Sequence, residues 1–421
     1  MKRVWLIFGM LLLAASAYGS SAAPVPGKPE PQRIRWKGQV IKISISTSLT
    51  RSNPNIKVDS DVIAAIRRSF AAWQDVADIE FQIDVSDKQG VSPSGVAGDG
   101  ISLITIASTP ENVLLFGKDA QSVSAKTRVF YNRKGFITEA DIVLNPFQHF
   151  STDGAFGTFD LQSTLTHEIG HLLGLKHSGV LGAAMSENLG KNTAADTVDF
   201  EPRALTDSDI AAVRDLYGVD NEECCQSVSG KLTLLSGKSA KNLKVWAEEL
   251  ETGRVIAQVD TDADGNYRLG GLAQGRYKLY WKVKGGTGRS TSNDLSNVEV
   301  DNNDLKSTPQ KIVIEPTQVV LDYVGINNQL AESAVAVTRG REQTIYLGGK
   351  NLDAKSISID FNSPYFSIVA SSVTEQDFGP DISVVSFIVM VDKDAPRGVY
   401  SIIATDGNGS KAALIGALKV Q

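Results

Sequence analysis

Apolar and polar residues alternate across Val40–Ser46, where Ile41, Ile43 and Ile45 are set against Lys42, Ser44 and Ser46. That is the period of a half-buried strand. Over residues 60–76 the period lengthens. Val62, Ile66, Phe70 and Trp73 recur every three or four positions, predicting an amphipathic helix with Asp59 or Ser60 as its cap. Alternation returns at Ile79, Phe81, Ile83 and Val85, and further strands are predicted over 101–106, 128–131 and 141–144. A second helix is predicted over 161–173 with Asp160 as cap, and a third over 208–216. Beyond Val219 the helical period disappears. Gly-bounded strands from 227 to about 300, including Tyr277, Leu279, Trp281 and Val283 on alternate positions, predict a small β-sandwich. A second sandwich is predicted from about 307 to 421, with strands over 311–324, 343–347, 357–361, 384–391 and 398–404.

The amino end is of another kind. Lys2 and Arg3 precede an apolar stretch over 4–15 and a zone of small residues over 17–23. This is the layout of a secretory signal peptide, with cleavage expected just before Ala23 or Pro24. A Pro-rich spacer over 24–32 follows. No later run approaches the ~18 apolar residues of a membrane span, so the mature protein is expected to be secreted, extracellular or cell-envelope associated, without a transmembrane anchor. The length of 421 residues leaves room for two or three domains of ~150 residues. Its 42 basic and 48 acidic residues leave a net charge of −6, which offers no footprint for nucleic acid.

Three of the four histidines fall within eleven residues, His167-Glu168-Ile169-Gly170-His171-Leu172-Leu173-Gly174-Leu175-Lys176-His177. On a helix, His167 and His171 share a face one turn apart and can grip one cation. Gly174 can take a positive φ, ending the helix and letting the chain return His177 to the same ion. Three neutral nitrogens and an open fourth position make a catalytic zinc site. Glu168, beside His167, is placed to reach a zinc-activated water whose pKa falls toward ~7 and to act as its general base.

These residues resemble the H-E-x-x-H-x-x-G-x-x-H signature of metzincin zinc peptidases. Met185, in Gly182-Ala183-Ala184-Met185, is similar to the methionine of their Met-turn. Within that group the best likeness is to the matrixins. It is carried also by Arg35-Trp36, Ala71-Ala72-Trp73, Glu139-Ala140-Asp141-Ile142, His177-Ser178 and Leu216-Tyr217-Gly218. The resemblance implies an α+β catalytic domain over 33–222, with a twisted five-stranded sheet and three helices. It also implies cleavage of extended polypeptide and a role for Asp209 in supporting the Met-turn. Only His149 lies outside the motif, so a second, structural zinc is not expected and His149 is assigned to a loop. The family's latency cysteine has no counterpart, and Ser186-Glu187 replace its usual aromatic and proline after the methionine. Residues 24–222 are expected to fold and cleave short peptides alone.

Residues 223–305 resemble prealbumin-like modules through Asn266-Tyr267-Arg268-Leu269-Gly270 and Gly275-Arg276-Tyr277, and residues 306–421 loosely resemble immunoglobulin-like bacterial surface domains. Such modules suit attachment to a surface or a polymeric substrate. Residues 260–266 begin like a calcium loop, but Gly271 stands where a bidentate Glu is required, so calcium is unsupported and a β-turn is expected. Cys224 and Cys225 are adjacent, and an internal bond, an intermolecular pair and two thiols are all compatible with the sequence. The functional expectation is a secreted zinc endopeptidase acting on extracellular proteins. The alternative is a surface adhesin or matrix-binding protein that uses the peptidase fold as a platform.

Overall fold

A computed structural model describes residues 33–93, 97–187, 190–192, 203–219, 224–283, 292–314 and 319–421. The expected leader (1–23) and spacer (24–32) lie outside the described residues. In chain order the first unit contains β1 (Arg35–Trp36), β2 (Val40–Ser46), α1 (Thr47–Thr50), α2 (Val62–Gln74), β3 (Glu80–Ser86) and β4 (Leu103–Thr105). There follow α3 (Pro110–Leu114), β5 (Ala125–Tyr131), β6 (Phe136–Leu144), the short strands β7 (Phe150–Ser151) and β8 (Phe159–Asp160), α4 (Leu161–Leu172) and α5 (Asp207–Tyr217).

Ile41, Ile43 and Ile45 enter the core as their alternation requires, and β2 pairs in parallel with β3 on one side and β4 on the other. β4 continues the sheet to β6, and β5 pairs antiparallel with β6. The sheet has six strands instead of the expected five, because Arg35 and Trp36 pair with Phe136 and Ile137 at the start of β6. The three expected helices are present, joined by the short α1 and α3, which are too brief to show an apolar period. Asp61, not Asp59 or Ser60, caps α2 by accepting from the Ala64 amide at 3.1 Å. β3 departs from its pattern in burial. Phe81 packs against Phe70, but Ile83 and Val85 remain 42% and 62% exposed, since β3 is an edge strand and α2 covers only its first residues.

On the sheet's helical side, Trp73 of α2 is buried and its Nε1 donates to the Thr166 carbonyl of α4 at 2.9 Å. The N-terminal segment closes the far end of α4. Trp36 Nε1 donates to the Leu172 carbonyl at 3.0 Å, the Trp36 amide to Tyr217 Oη at 3.1 Å, and Tyr217 Oη to the Leu173 carbonyl at 2.6 Å.

The first β module comprises β9 (Cys224–Leu234), β10 (Leu243–Glu249), β11 (Val255–Asp260), β12 (Asn266–Ala273), β13 (Gly275–Val283), β14 (Ser292–Val300), β15 (Leu305–Lys306) and β16 (Gln310–Ile312). One sheet runs β11-β10-β13-β14, and the facing one runs β12-β9-β15 with β16 also on β9. The expected division after residue 305 falls too early. After Lys306 the chain stays along β9, β16 pairs with it in parallel, and Ile312 is buried in this module's core. Residues 262–266 form the expected turn, Asp262 Oδ1 accepting from the Asp264 and Asn266 amides. Cys224 and Cys225 form an internal disulfide.

The second module comprises β17 (Val320–Ile326), β18 (Gln329–Ala331), β19 (Val335–Val337), β20 (Glu342–Lys350), β21 (Ser358–Asp360), β22 (Phe366–Ile368), β23 (Thr374–Gln376), β24 (Ser383–Val391), β25 (Gly398–Thr405) and β26 (Lys411–Val420). A six-stranded sheet built on β17, β20 and β24 faces the four-stranded sheet β19-β26-β25-β21. A separate apolar cluster joins all three units: Val180 and Ala183 from the first, Trp246, Val255 and Tyr280 from the second, and Val399, Ile403, Ala413 and Ile415 from the third. No helix among the described residues is long and apolar enough to cross a membrane.

Candidate metal centre

α4 begins where Asp160 accepts from the Ser163 amide at 2.7 Å, and it ends at Gly174, whose φ of +98° turns the chain back. That conformation and the Ile34 carbonyl packed where a Cβ would stand both demand glycine here. His167, His171 and His177 are brought together, each offering one ring nitrogen, with these atoms within 4.8 Å of one another.

The imidazoles are oriented by backbone. His167 Nδ1 lies 2.8 Å from the Ala184 carbonyl and His171 Nδ1 2.9 Å from the Leu175 carbonyl. A carbonyl only accepts, so each Nδ1 carries the proton and each Nε2 presents a lone pair. The two Nε2 atoms face each other at 3.1 Å. Two lone pairs at that distance repel unless a cation lies between them. Tetrahedral ligands at Zn–N ~2.0–2.1 Å would stand about 3.3 Å apart, so the donor set fits zinc. Burial, with His171 and His177 beside it, holds His167 well below the usual imidazole range, which keeps it neutral, as a metal ligand has to be. His149 is exposed and outside this group, as its loop assignment requires.

Glu168 is buried beside the triad, and burial pushes its carboxyl above the usual carboxylate range, opposed by His171, by a hydrogen bond from Thr127 and by Lys126. Thr127 Oγ1 on β5 donates to Glu168 Oε2. Periodicity marked β5 as a strand but gave no reason to single out this threonine.

Met185 packs against Gly170, next to His171 in sequence, where a Cβ would collide with Met185 Sδ and come within 2.9 Å of Trp73. Only the glycine inside a helical apolar pattern hinted at that close approach. Asp209, buried in the first turn of α5, accepts from the Ala184 amide at 2.9 Å, the Met185 amide at 3.0 Å, and the amide and hydroxyl of Thr206, each at 2.8 Å. One carboxylate thus fixes both the helix start and the turn whose Ala184 carbonyl orients His167.

The matrixin family model matches residues 119–218, the stretch from just before β5 to the end of α5. The chain is 23% identical over 242 residues to metalloendoproteinase 4-MMP of Arabidopsis thaliana, covering 55% of this chain and 60% of that protein. It is 26% identical over 197 residues to metalloendoproteinase 1 of Glycine max, covering 44% of this chain and 53% of that one. The chain spans about half the length of the curated relatives it matches. Among solved structures, the major pilin subunit of Bacillus cereus matches 45% of this chain and 67% of its own at 16% identity, with a TM-score of 0.16. Together the family model and the relatives support a matrixin-type metalloendopeptidase.

Proposed function

We propose that the chain is a secreted, zinc-dependent endopeptidase in which His167, His171 and His177 hold the metal and Glu168 is the general base. The observation that carries this reading is the pair of Nε2 lone pairs facing each other at 3.1 Å, with both Nδ1 protons tied to backbone carbonyls and Glu168 alongside. What zinc supplies when bound is Lewis acidity, bringing the pKa of water in the site toward ~7. Glu168 takes the proton from the attacking water at Oε1, while Thr127 holds Oε2, and delivers it to the leaving amine. Met185 and Asp209 support the floor of the site. β5 pairs only with β6 among the described strands, so an extended polypeptide can add along its other edge beside Glu168. The complete triad and its adjacent carboxylate favour an enzyme over an adhesin that merely retains the fold.

Glu168→Ala is expected to retain one zinc per chain while peptide cleavage falls by about 10²–10⁴-fold, the usual contribution of a general base. Metal analysis after dialysis, paired with a peptide-cleavage assay, reads both quantities. A zinc-loaded variant that cleaves as fast as the wild type would overturn the role of Glu168.

A further inference from the structure

The loop between His177 and Met185 is held by groups outside the unit that carries the histidines. The Gly179 amide donates to Gln258 Oε1 of β11 at 2.7 Å, and the Leu181 amide to the Ile415 carbonyl of β26 at 2.9 Å. Val180 and Ala183 are buried in the cluster shared by all three units. A Cβ on Gly182 would lie 2.6 Å from Val399 Cγ1 and 3.3 Å from the Gly416 carbonyl, so the second module packs directly on the loop's backbone. The same loop closes on itself through the Ser178 amide and the Met185 carbonyl at 2.7 Å. Its last residues present the Ala184 carbonyl to His167.

The helix beneath is held in the same way. Ala211 of α5 is part of the first module's core, with its carbonyl against Gly271, and Asp207 pairs with Arg254 of that module at 3.2 Å. Asp209, two residues from each, fixes Ala184 and Met185.

We propose that the two β modules are part of the metal-binding machinery, with Gln258, Val399 and Ile415 acting as positioning residues that clamp the 178–183 loop and thereby set His177, Met185 and the Ala184 carbonyl. A histidine at the end of a loop with no other anchor would have to be ordered by the metal itself, at a cost in affinity. A loop clamped beforehand avoids that cost. This runs against an autonomous catalytic fragment over 24–222: without the modules, Val180 and Ala183 lose their cover and the amides of Gly179 and Leu181 lose their acceptors.

The test is a size-swap cycle in the full-length chain, and its zinc arm rests on the metal site proposed above. Gly182→Ala pushes a methyl into Val399, and Val399→Ala makes room for it. Zinc affinity, read by competition with a chromophoric chelator, is expected to fall about tenfold in Gly182→Ala. In the double variant it should return to within about threefold of Val399→Ala alone. Val389→Ala, a cavity in the same module on the sheet away from the loop, is expected to leave zinc affinity unchanged. In metal-free protein, amide hydrogen exchange at Gly179 and Leu181 should speed up in Gly182→Ala and slow again in the double variant. Should Gly182→Ala fail to fold, Gln258→Ala, which removes only the acceptor of Gly179, should still weaken zinc severalfold. Wild-type chain that takes up no zinc would overturn the metal site, and the exchange arm would still decide the clamp. Unchanged zinc affinity and exchange in Gly182→Ala, or no recovery on adding Val399→Ala, would overturn the positioning role.

Discussion

Glu248 is buried where the two β modules meet, and it makes their contact depend on pH. Its Oε1 accepts from Trp246 Nε1 at 2.9 Å and from Ser401 Oγ at 2.6 Å, and its Oε2 from Asn362 Nδ2 at 3.1 Å. Burial pushes its carboxyl from 4.5 up to about 7, although those three donors and Lys278 favour the charged form. Between these two values the folded chain keeps a proton that the unfolded chain has lost. Stability therefore falls as pH rises across this window and levels off above about 7. At about 1.4 kcal/mol per pH unit, the change between pH 4.5 and 7 is roughly 3 kcal/mol. Glu248→Gln keeps an acceptor for Trp246 and Ser401 but cannot ionise. Its unfolding free energy minus that of the wild type should therefore rise by roughly 3 kcal/mol between pH 4.5 and 7.5. Urea denaturation of both proteins, metal-free and followed by circular dichroism at closely spaced pH, measures that difference while cancelling the other titrating groups. A difference that stays flat within about 0.5 kcal/mol across the window would refute the reasoning.

Three further outcomes are expected. His177→Ala should lower zinc affinity more than tenfold in a chelator competition, since a ligand atom is lost, and wild-type affinity would remove His177 from the site. Asp209→Ala leaves the buried amides of Ala184 and Met185 without acceptors, at about 1–3 kcal/mol each, so the melting temperature should drop by several degrees; an unchanged melting curve would contradict the support assigned to Asp209. Gly170→Ala drives a methyl against Met185 and Trp73 and should cost about 1–3 kcal/mol by overpacking, which thermal unfolding would register. A neutral result there would mean that the helix and the Met185 turn can part without strain.

The histidine triad was readable in sequence because its parts are local. Helical spacing put His167 and His171 on one face, and the glycine at 174 foretold the turn that recovers His177. Asp160 as the cap of α4 followed equally from its position before an apolar run. The support for the site was less visible because it comes from far along the chain. No alternation marks β26, because 412–418 is an apolar run between Lys411 and Lys419, and the structure gives the reason. Ala412 and Leu414 face the second module's core, while Ala413 and Ile415 face the cluster under the loop. A strand buried on both faces loses the alternation that would announce it. Trp246 and Tyr280 behave alike, set between neighbours that point into the first module's core. β3 shows the converse, with a clear alternating pattern whose apolar face is left partly open.

The cap that Trp36 and Tyr217 place over the end of α4 fixes how far the chain's front can be pared away. Removal of everything up to Arg33 leaves the Ile34 carbonyl against Gly174 and the indole of Trp36 on the Leu172 carbonyl, one residue beyond His171. A cut just after Trp36 strips both away, takes the Trp36 amide from Tyr217, and removes the β1 pairing from the start of β6. The chain's front can thus be pared back to Ile34 with these contacts intact, whereas a cut three residues further on is expected to fray the end of α4 and the start of β6.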